Sequence, residues 1–317
     1  MKKKQFTEEV VNRLREITGC KIEVSQAKKN NGIKVTSLII KRDVERNMYP
    51  VIYIEPFYEI YKQGEDFNTI IERMLEFESE YEIQNDFDVS FFENFEKVRA
   101  DIYYRLVNYT TNQKMLVNMP HRKYLDLVKI YYVAINVESY GEGTILIKND
   151  YLEKWGIDDN ELDRIATLNT ETKIIPVIAN VNEIVKNNLR FMFEELKKDG
   201  EIPEDAEMPD LNNIGRFPMH VVTNEERYYG ASVLMYKSFL NVVSKVMKSD
   251  LVIFPSSVHE FIFMSADLVD EHGYDRLKEI VKDINQKVVI PEEFLSNNVY
   301  YYDRQNAKLT IYKDLEG

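Results

Sequence analysis

The alternation of apolar and polar positions divides the chain into a series of short elements. Val10, Val11, Leu14 and Ile17 recur at helical spacing behind Thr7, Glu8 and Glu9, which predicts an amphipathic helix capped by Thr7 and running to about Ile17. "NNGIKVTSLII" has a turn signal at Asn30-Asn31-Gly32 before a β-branched run, and "YPVIYIEPFYEIY" supplies a second strand around Val51 to Ile54, so an N-terminal hairpin is expected. From Phe57 to about Tyr81 the pattern is helical, broken near Gly64. Ser90 and Glu93 stand in capping-box spacing and predict a helix through roughly Tyr109.

The polar, proline-containing stretch "TTNQKMLVNMPHR" reads as a linker, which divides the chain into a helix and hairpin subdomain at 1–112 and an α+β domain at 113–317. Beyond it, "YLDLVKIYYVAIN" and "GTILIKN" read as strands. Asp158 with Glu161 caps a helix through about Leu168, and Val181–Leu196 offers another. Trp155-Gly156 closes a helical turn, with the indole anchoring the loop in the core. "KKDGEIPEDAEMPDLNNIGRFP" has the prolines and glycines of an exposed loop. "MHVVT" reads as a strand, Tyr229–Met247 as a helix capped by Thr223 and Glu226, Tyr274–Ile284 as a helix, and "VYYYD" and "KLTIY" as strands. The fold expected is α+β: a mixed, mostly antiparallel sheet flanked by helices.

Composition narrows the class. With 317 residues and 44% apolar content the chain can bury a full core. No apolar run reaches the roughly 18 residues a bilayer span needs, and Lys2, Lys3 and Lys4 are not followed by a secretory apolar segment, so a cytoplasmic location without membrane contact is expected. Cys20 is the single cysteine and cannot form an internal disulfide. The net charge of −13 is uneven: residues 1–48 carry 12 Lys/Arg against 6 Asp/Glu, whereas residues 49–101 carry 4 against 14. Nucleic-acid binding has only Lys28, Lys29, Lys34, Lys41, Arg42 and Arg46 as a patch, and a solvated face of helix and hairpin is the preferred account of them.

Chemistry concentrates in "SDLVIFPSSVHEFIFM". Ser256 or Ser257 as nucleophile with His259 as base and Glu260 as its orienting group are the residue types of a serine hydrolase. The spacing is unfavourable, because neighbours on an extended strand face opposite ways, so Glu260 leaves the face that Ser257 and His259 share. The glycine elbow is also missing: Phe254 and Val258 flank Ser256, and Pro255 and His259 flank Ser257. A turn between strands Leu251–Phe254 and Phe261–Met264 is preferred, ahead of a helix capped by Ser257 and Glu260. His220 on the preceding strand, with His259 and either Glu260 or Glu225, has the side chains of a metal site, although no ligand spacing marks one and a hydrogen-bonded structural histidine is the simpler expectation. His121 and His272 sit beside turns. No cofactor is implied.

"NNGIKVTSLII", "FDVSFFENFEKVRADIYYRLVNY", "TILIKNDYLEKWGIDDNEL" and "HVVTNEERYYGASVLMYKSFL" together resemble, over essentially the whole chain, an uncharacterised domain-of-unknown-function family found in gut Firmicutes and often encoded near mobile elements. "LEKWGIDDNELDRIATLNT" and the segment from Tyr229 to Met264 are similar to the YtpQ-like family, which implies a helix-rich part followed by strand, helix, strand. Neither resemblance implies an activity or a catalytic residue. The function expected is therefore a non-catalytic accessory or regulatory protein of a mobile element that binds another protein. The alternatives are the Ser256/Ser257–His259 hydrolase and an acidic inhibitor of a nucleic-acid-binding enzyme.

Overall fold

The computed structural model describes residues 1–43, 45, 46, 49–81, 89–137, 141–208, 218–255, 257–270 and 273–312. It divides into two compact units, Met1–Ile102 with Tyr132–Ile157, and Tyr103–Tyr131 with Asp158–Gly317. The architecture is α+β, with three antiparallel sheets.

The first unit opens on helix α1 (Lys3–Thr18), which buries Phe6, Val10, Val11 and Leu14. It starts a turn earlier than its sequence signal, and Thr7 is not the cap: the Thr7 hydroxyl donates to the Lys3 carbonyl, 3.0 Å away, inside the helix. Gly19, left-handed at φ 65°, ends the helix by donating its N–H to the Arg15 carbonyl. Strands β1 (Lys21–Lys28) and β2 (Lys34–Lys41) then pair from Lys21↔Lys41 to Lys28↔Lys34 across the Asn30–Gly32 turn. The expected pairing of the β2 run with a strand around Val51 to Ile54 forms over a short stretch, and the longer hairpin is made with β1, which precedes the turn. The two-residue β3 (Ile52–Tyr53) joins the other side of β2. β1 is hard to read because "KIEVSQAK" holds only two β-branched aliphatics, Ile22 and Val24, in a strand paired on one side only among the described residues.

Helices α2 (Ile54–Lys62) and α3 (Phe67–Glu80) follow, separated near Gly64, and the Asp66 carboxylate caps α3 by accepting the Asn68 and Thr69 amides. α1, the β1–β3 sheet, α2 and α3 enclose one core around Phe6, Leu38, Ile54 and Ile71. The helix expected from Ser90 to Tyr109 does not form. Instead α4 (Val89–Glu93) and α5 (Phe95–Val98) are single turns, the latter capped by Asn94, and β4 (Ile102–Asn108) begins after a tight 3₁₀ turn. Ile102, Tyr104 and Leu106 point inward at period 2, and that burial overrides the local helix signal.

The expected linker is also structured. Asn108 caps helix α6 (Tyr109–Leu116) by accepting the Thr111 amide, and β5 (His121–Tyr124) pairs with β6 (Leu127–Val137). The later half of β6 pairs with β7 (Gly141–Leu146), which leads into α7 (Asn149–Trp155). Gly156, at φ 66°, closes α7, and the buried Trp155 indole donates to the Phe92 carbonyl at 3.0 Å, so the anchoring role expected for it holds.

In the second unit Asp158 accepts the Glu161 amide and starts α8 (Asp159–Lys173), as its spacing predicts. Strand β8 (Pro176–Asn180), helix α9 (Val181–Lys198), β9 (His220–Asn224), helix α10 (Phe239–Met247), β10 (Leu251–Phe254), β11 (Phe261–Ser265), α11 (Gly273–Lys287), β12 (Tyr300–Asp303) and β13 (Lys308–Ile311) complete the chain. The sheet order is β13-β12-β10-β11-β9-β8. β10 lies inside it with all four residues buried, which is why "LVIF" reads as an unbroken apolar run. The helix expected over Tyr229–Met247 is interrupted: Tyr229 is left-handed, Gly230–Met235 is a 3₁₀ turn, and the Tyr236 hydroxyl is drawn to the carbonyls of Thr170 and Ile174. Among the described residues no helix is long and apolar enough to cross a membrane.

Candidate functional site

The chemistry-bearing segment turns the chain from β10 to β11, so the preferred turn-and-strand arrangement is what forms. Ser256 lies outside the described residues. Ser257 is buried, at 8% exposure, and its main-chain N–H donates to the Glu260 carbonyl at 3.2 Å. Its Oγ accepts the backbone N–H of His259 at 3.1 Å. This is a serine turn, in which the hydroxyl oxygen stabilises the bend through a nearby amide. A bridge between Ser257 and Phe294 holds the turn from the other side.

The His259 imidazole is directed elsewhere. Nδ1 accepts the Tyr229 N–H at 3.2 Å, and Nε2 lies 3.5 Å from Oε1 of Glu293. Acceptance at Nδ1 puts the ring proton of the neutral form on Nε2, toward the carboxylate. The Tyr229 ring lies almost parallel to the imidazole, 7° apart at 5.7 Å, and the Arg105 guanidinium sits 4.2 Å above the Tyr229 ring. Tyr228 completes the group through its hydroxyl, 2.8 Å from that of Tyr229. Neither ring nitrogen makes a hydrogen bond with Ser257.

The packing behind this stack explains the interruption before α10. The His259 carbonyl accepts the Thr223 hydroxyl at 2.9 Å, and a Cβ on Gly230 would fall 2.5 Å from that carbonyl and 2.3 Å from Thr223 Oγ1. Only glycine lets the chain pass so close. Burial pushes the imidazole below its ordinary range; Glu293 pulls it upward and Arg105 pushes it further down, with the net shift downward. Burial, and then the Glu293 charge, raise the Glu260 carboxyl. The group can hold a neutral histidine beside a carboxylate and a cation-capped aromatic stack.

His220 is placed apart. It pairs with Phe263 across β9 and β11 and stacks on that ring at 5.0 Å, its Nδ1 buried without a hydrogen-bond partner among the described residues. Extending the register puts His259 opposite Asn224, roughly 13 Å along the strands at about 3.3 Å per residue. Sheet pairing therefore does not unite the two imidazoles, and Glu225 is tied through its amide to the Ile175 carbonyl. Among the described residues no three His, Cys, Asp or Glu side chains converge as metal ligands. His121 bonds the Met119 carbonyl through Nδ1, and His272 lies outside the described residues.

In the basic N-terminal patch, Lys41 pairs with Glu23, Arg42 with Glu78 and Arg46 with Asp43, while Lys29 sits 3.9 Å over the Tyr53 ring. Much of the cationic charge is thus engaged within the first unit.

One surface lies outside the motifs. α9 spans 18 residues without a single buried one, and it exposes Leu189, Phe191 and Met192, Phe191 by 67%. The preceding strand β8, at the end of the sheet, exposes Val177 and Ile178. The helix is well started, since Asn180 accepts the Asn182 amide and the Val181 N–H reaches the Met219 carbonyl. Its signal was present in the sequence as helical periodicity, but periodicity alone does not say whether an apolar face is covered.

A family model described as "Family of unknown function (DUF5688)" matches residues 3–304. No curated protein and no solved structure matches the chain.

Proposed function

We propose a function from one premise: this chain belongs to the DUF5688 family, a family of unknown function, so its own surface has to supply the evidence. The protein acts by binding another protein, without chemistry at the Ser257–His259 turn. The observation that carries this is α9 and β8. An 18-residue amphipathic helix with no buried residue, continuous with an edge strand that exposes Val177 and Ile178, is the kind of apolar patch that marks an interaction site. Val185, Leu189, Met192 and Leu196 recur at helix-face spacing, which suits a partner with an apolar groove for a helix. Engagement of both His259 ring nitrogens by Tyr229 and Glu293 supports the non-catalytic side of the proposal. The accessory role in a mobile element implied by the family resemblance belongs to the same proposal.

The test compares affinity capture at native expression for the wild type and a Phe191→Asp/Met192→Asp variant that melts at the same temperature. A stoichiometric partner held by the wild type and lost by the variant is expected. Recovery of no stoichiometric partner, or equal recovery by both, overturns the proposal.

A further inference from the structure

Strand β8 closes one end of the sheet in the second unit, and among the described residues it pairs with β9 alone. The phase of that ladder is fixed at both ends. The Glu225 N–H donates to the Ile175 carbonyl at 3.2 Å and the Val181 N–H to the Met219 carbonyl at 3.1 Å, with Pro176↔Asn224 through Asn180↔His220 in register between them. Hydrogen-bonded pairs alternate along an antiparallel ladder, so Ile175, Val177, Ala179 and Val181 bond toward β9, while Pro176, Ile178 and Asn180 turn their main-chain groups to the open edge. Edge strands are ordinarily blunted by charge, and the strand at the opposite end, β13, opens on Lys308. "IIPVIAN" carries no charge, and Ile178 is 46% exposed.

These open groups complement a second copy of themselves. With two such strands antiparallel about a two-fold axis at Ile178, each Ile178 gives its N–H to the other's carbonyl, and each Asn180 N–H reaches the Pro176 carbonyl of the second copy. Nothing is owed in return, because proline has no N–H and the Asn180 carbonyl, at the N-cap of α9, accepts the first bond of that helix. Sliding the strands by two residues sets the Ile178 carbonyl against proline in one direction, and the Ile178 N–H against the engaged Asn180 carbonyl in the other. In the two-fold register the exposed Ile178 side chain faces its own copy and Val177 faces Ala179, so every cross-strand pair is free of like charges.

We infer that β8 pairs with the β8 of a second copy of this chain, antiparallel and centred on Ile178, joining the two six-stranded sheets edge to edge. A strand pair of five residues a side is smaller than the interface of a permanent dimer, so the association depends on concentration. The inference goes beyond the α9 reading: it assigns the main-chain edge of β8 to a second copy and leaves the apolar face of α9 to the other protein.

The experiment is sedimentation velocity on the full-length protein from about 1 to 200 μM, where the mean mass should rise toward twice that of the chain. Ile178→Pro deletes the outward N–H and spares the ladder to β9, so it should melt like the wild type and weaken the dimer at least about tenfold. Ile178→Lys, which sets like charges opposite each other without touching the backbone, should do the same. Register is read by oxidation. The Cα atoms of a hydrogen-bonded pair lie about 5.5 Å apart, within reach of a disulfide, so Cys20→Ser/Ile178→Cys should cross-link. Cys20→Ser/Val177→Cys, whose thiols are offset by two residues or about 6.6 Å along the strands, should not. The Phe191→Asp/Met192→Asp variant should dimerise normally, which separates this inference from the α9 reading. A monomer at every concentration overturns it. So does a dimer indifferent to both Ile178 substitutions, one lost in the α9 variant, or one cross-linked through position 177 in preference to 178.

Discussion

The Nε2 atom of His259 lies 3.5 Å from Oε1 of Glu293 while Nδ1 of the same ring accepts the Tyr229 amide at 3.2 Å. The imidazole therefore serves as an acceptor for a left-handed residue, and protonation of Nδ1 removes that role. Burial holds the folded imidazole below its ordinary value of 6.5, so the unfolded chain takes up the proton first. A depressed value contributes stability that is present above pH 6.5 and lost as pH falls through the folded value. The wild type should thus lose more thermal stability than His259→Gln between pH 7 and pH 5. Melting curves across that range check this, and parallel slopes would sink it. Comparing the two proteins cancels the opposite contribution of Glu260, which both retain.

Ser257 should behave as a structural residue. Ser257→Ala removes the acceptor of the His259 amide in a buried turn, and a loss of about 1 kcal/mol in urea unfolding is expected. Fluorophosphonate labelling should not differ between the wild type and this variant. Labelling abolished by the substitution would instead support the hydrolase alternative.

Gly230 is constrained by close approach. Alanine there brings Cβ within 2.7 Å of the Thr223 main chain and nearer still to the His259 carbonyl, atoms that cannot swing away as a flexible side chain does. Gly230→Ala should cost about 3 kcal/mol, at the upper end for overpacking, with a matching fall in the urea midpoint. An unchanged midpoint would mean the strand and the 3₁₀ turn can separate freely.

In the first unit Glu78 is buried to 3% exposure, and Arg42 grips it through Nε and Nη2. Arg42→Met leaves the carboxylate without this fork. A cost of about 2 kcal/mol is expected, below that of a fully orphaned buried charge because Arg42 itself remains open to water. Chemical unfolding of Arg42→Met beside Arg42→Met/Glu78→Gln isolates the effect: the second change should recover part of the loss.

Legibility along the chain followed the range of the forces involved. Asp158 with Glu161, and Trp155 with Gly156, behave as their spacing predicts, because a cap and a left-handed terminus are settled within a few residues. The Ser90–Glu93 signal failed because Ile102–Asn108 gains more from burying alternate side chains in a sheet than from extending a local helix. β1 escaped notice for a related reason: an edge strand needs few apolar residues. At the turn, the residue types of a triad were visible in five consecutive positions, but Tyr229, Arg105 and Glu293, which engage the histidine stack, come from distant parts of the chain.

The sequence by itself determined the α+β class, most element positions in the second unit, and the bend between two buried strands around residue 257. Tertiary structure alone decided which atoms His259 meets and that α9 has no buried residue. Periodicity and capping are local properties of a few residues, whereas the use of a polar side chain or an apolar face depends on what the rest of the chain brings against it.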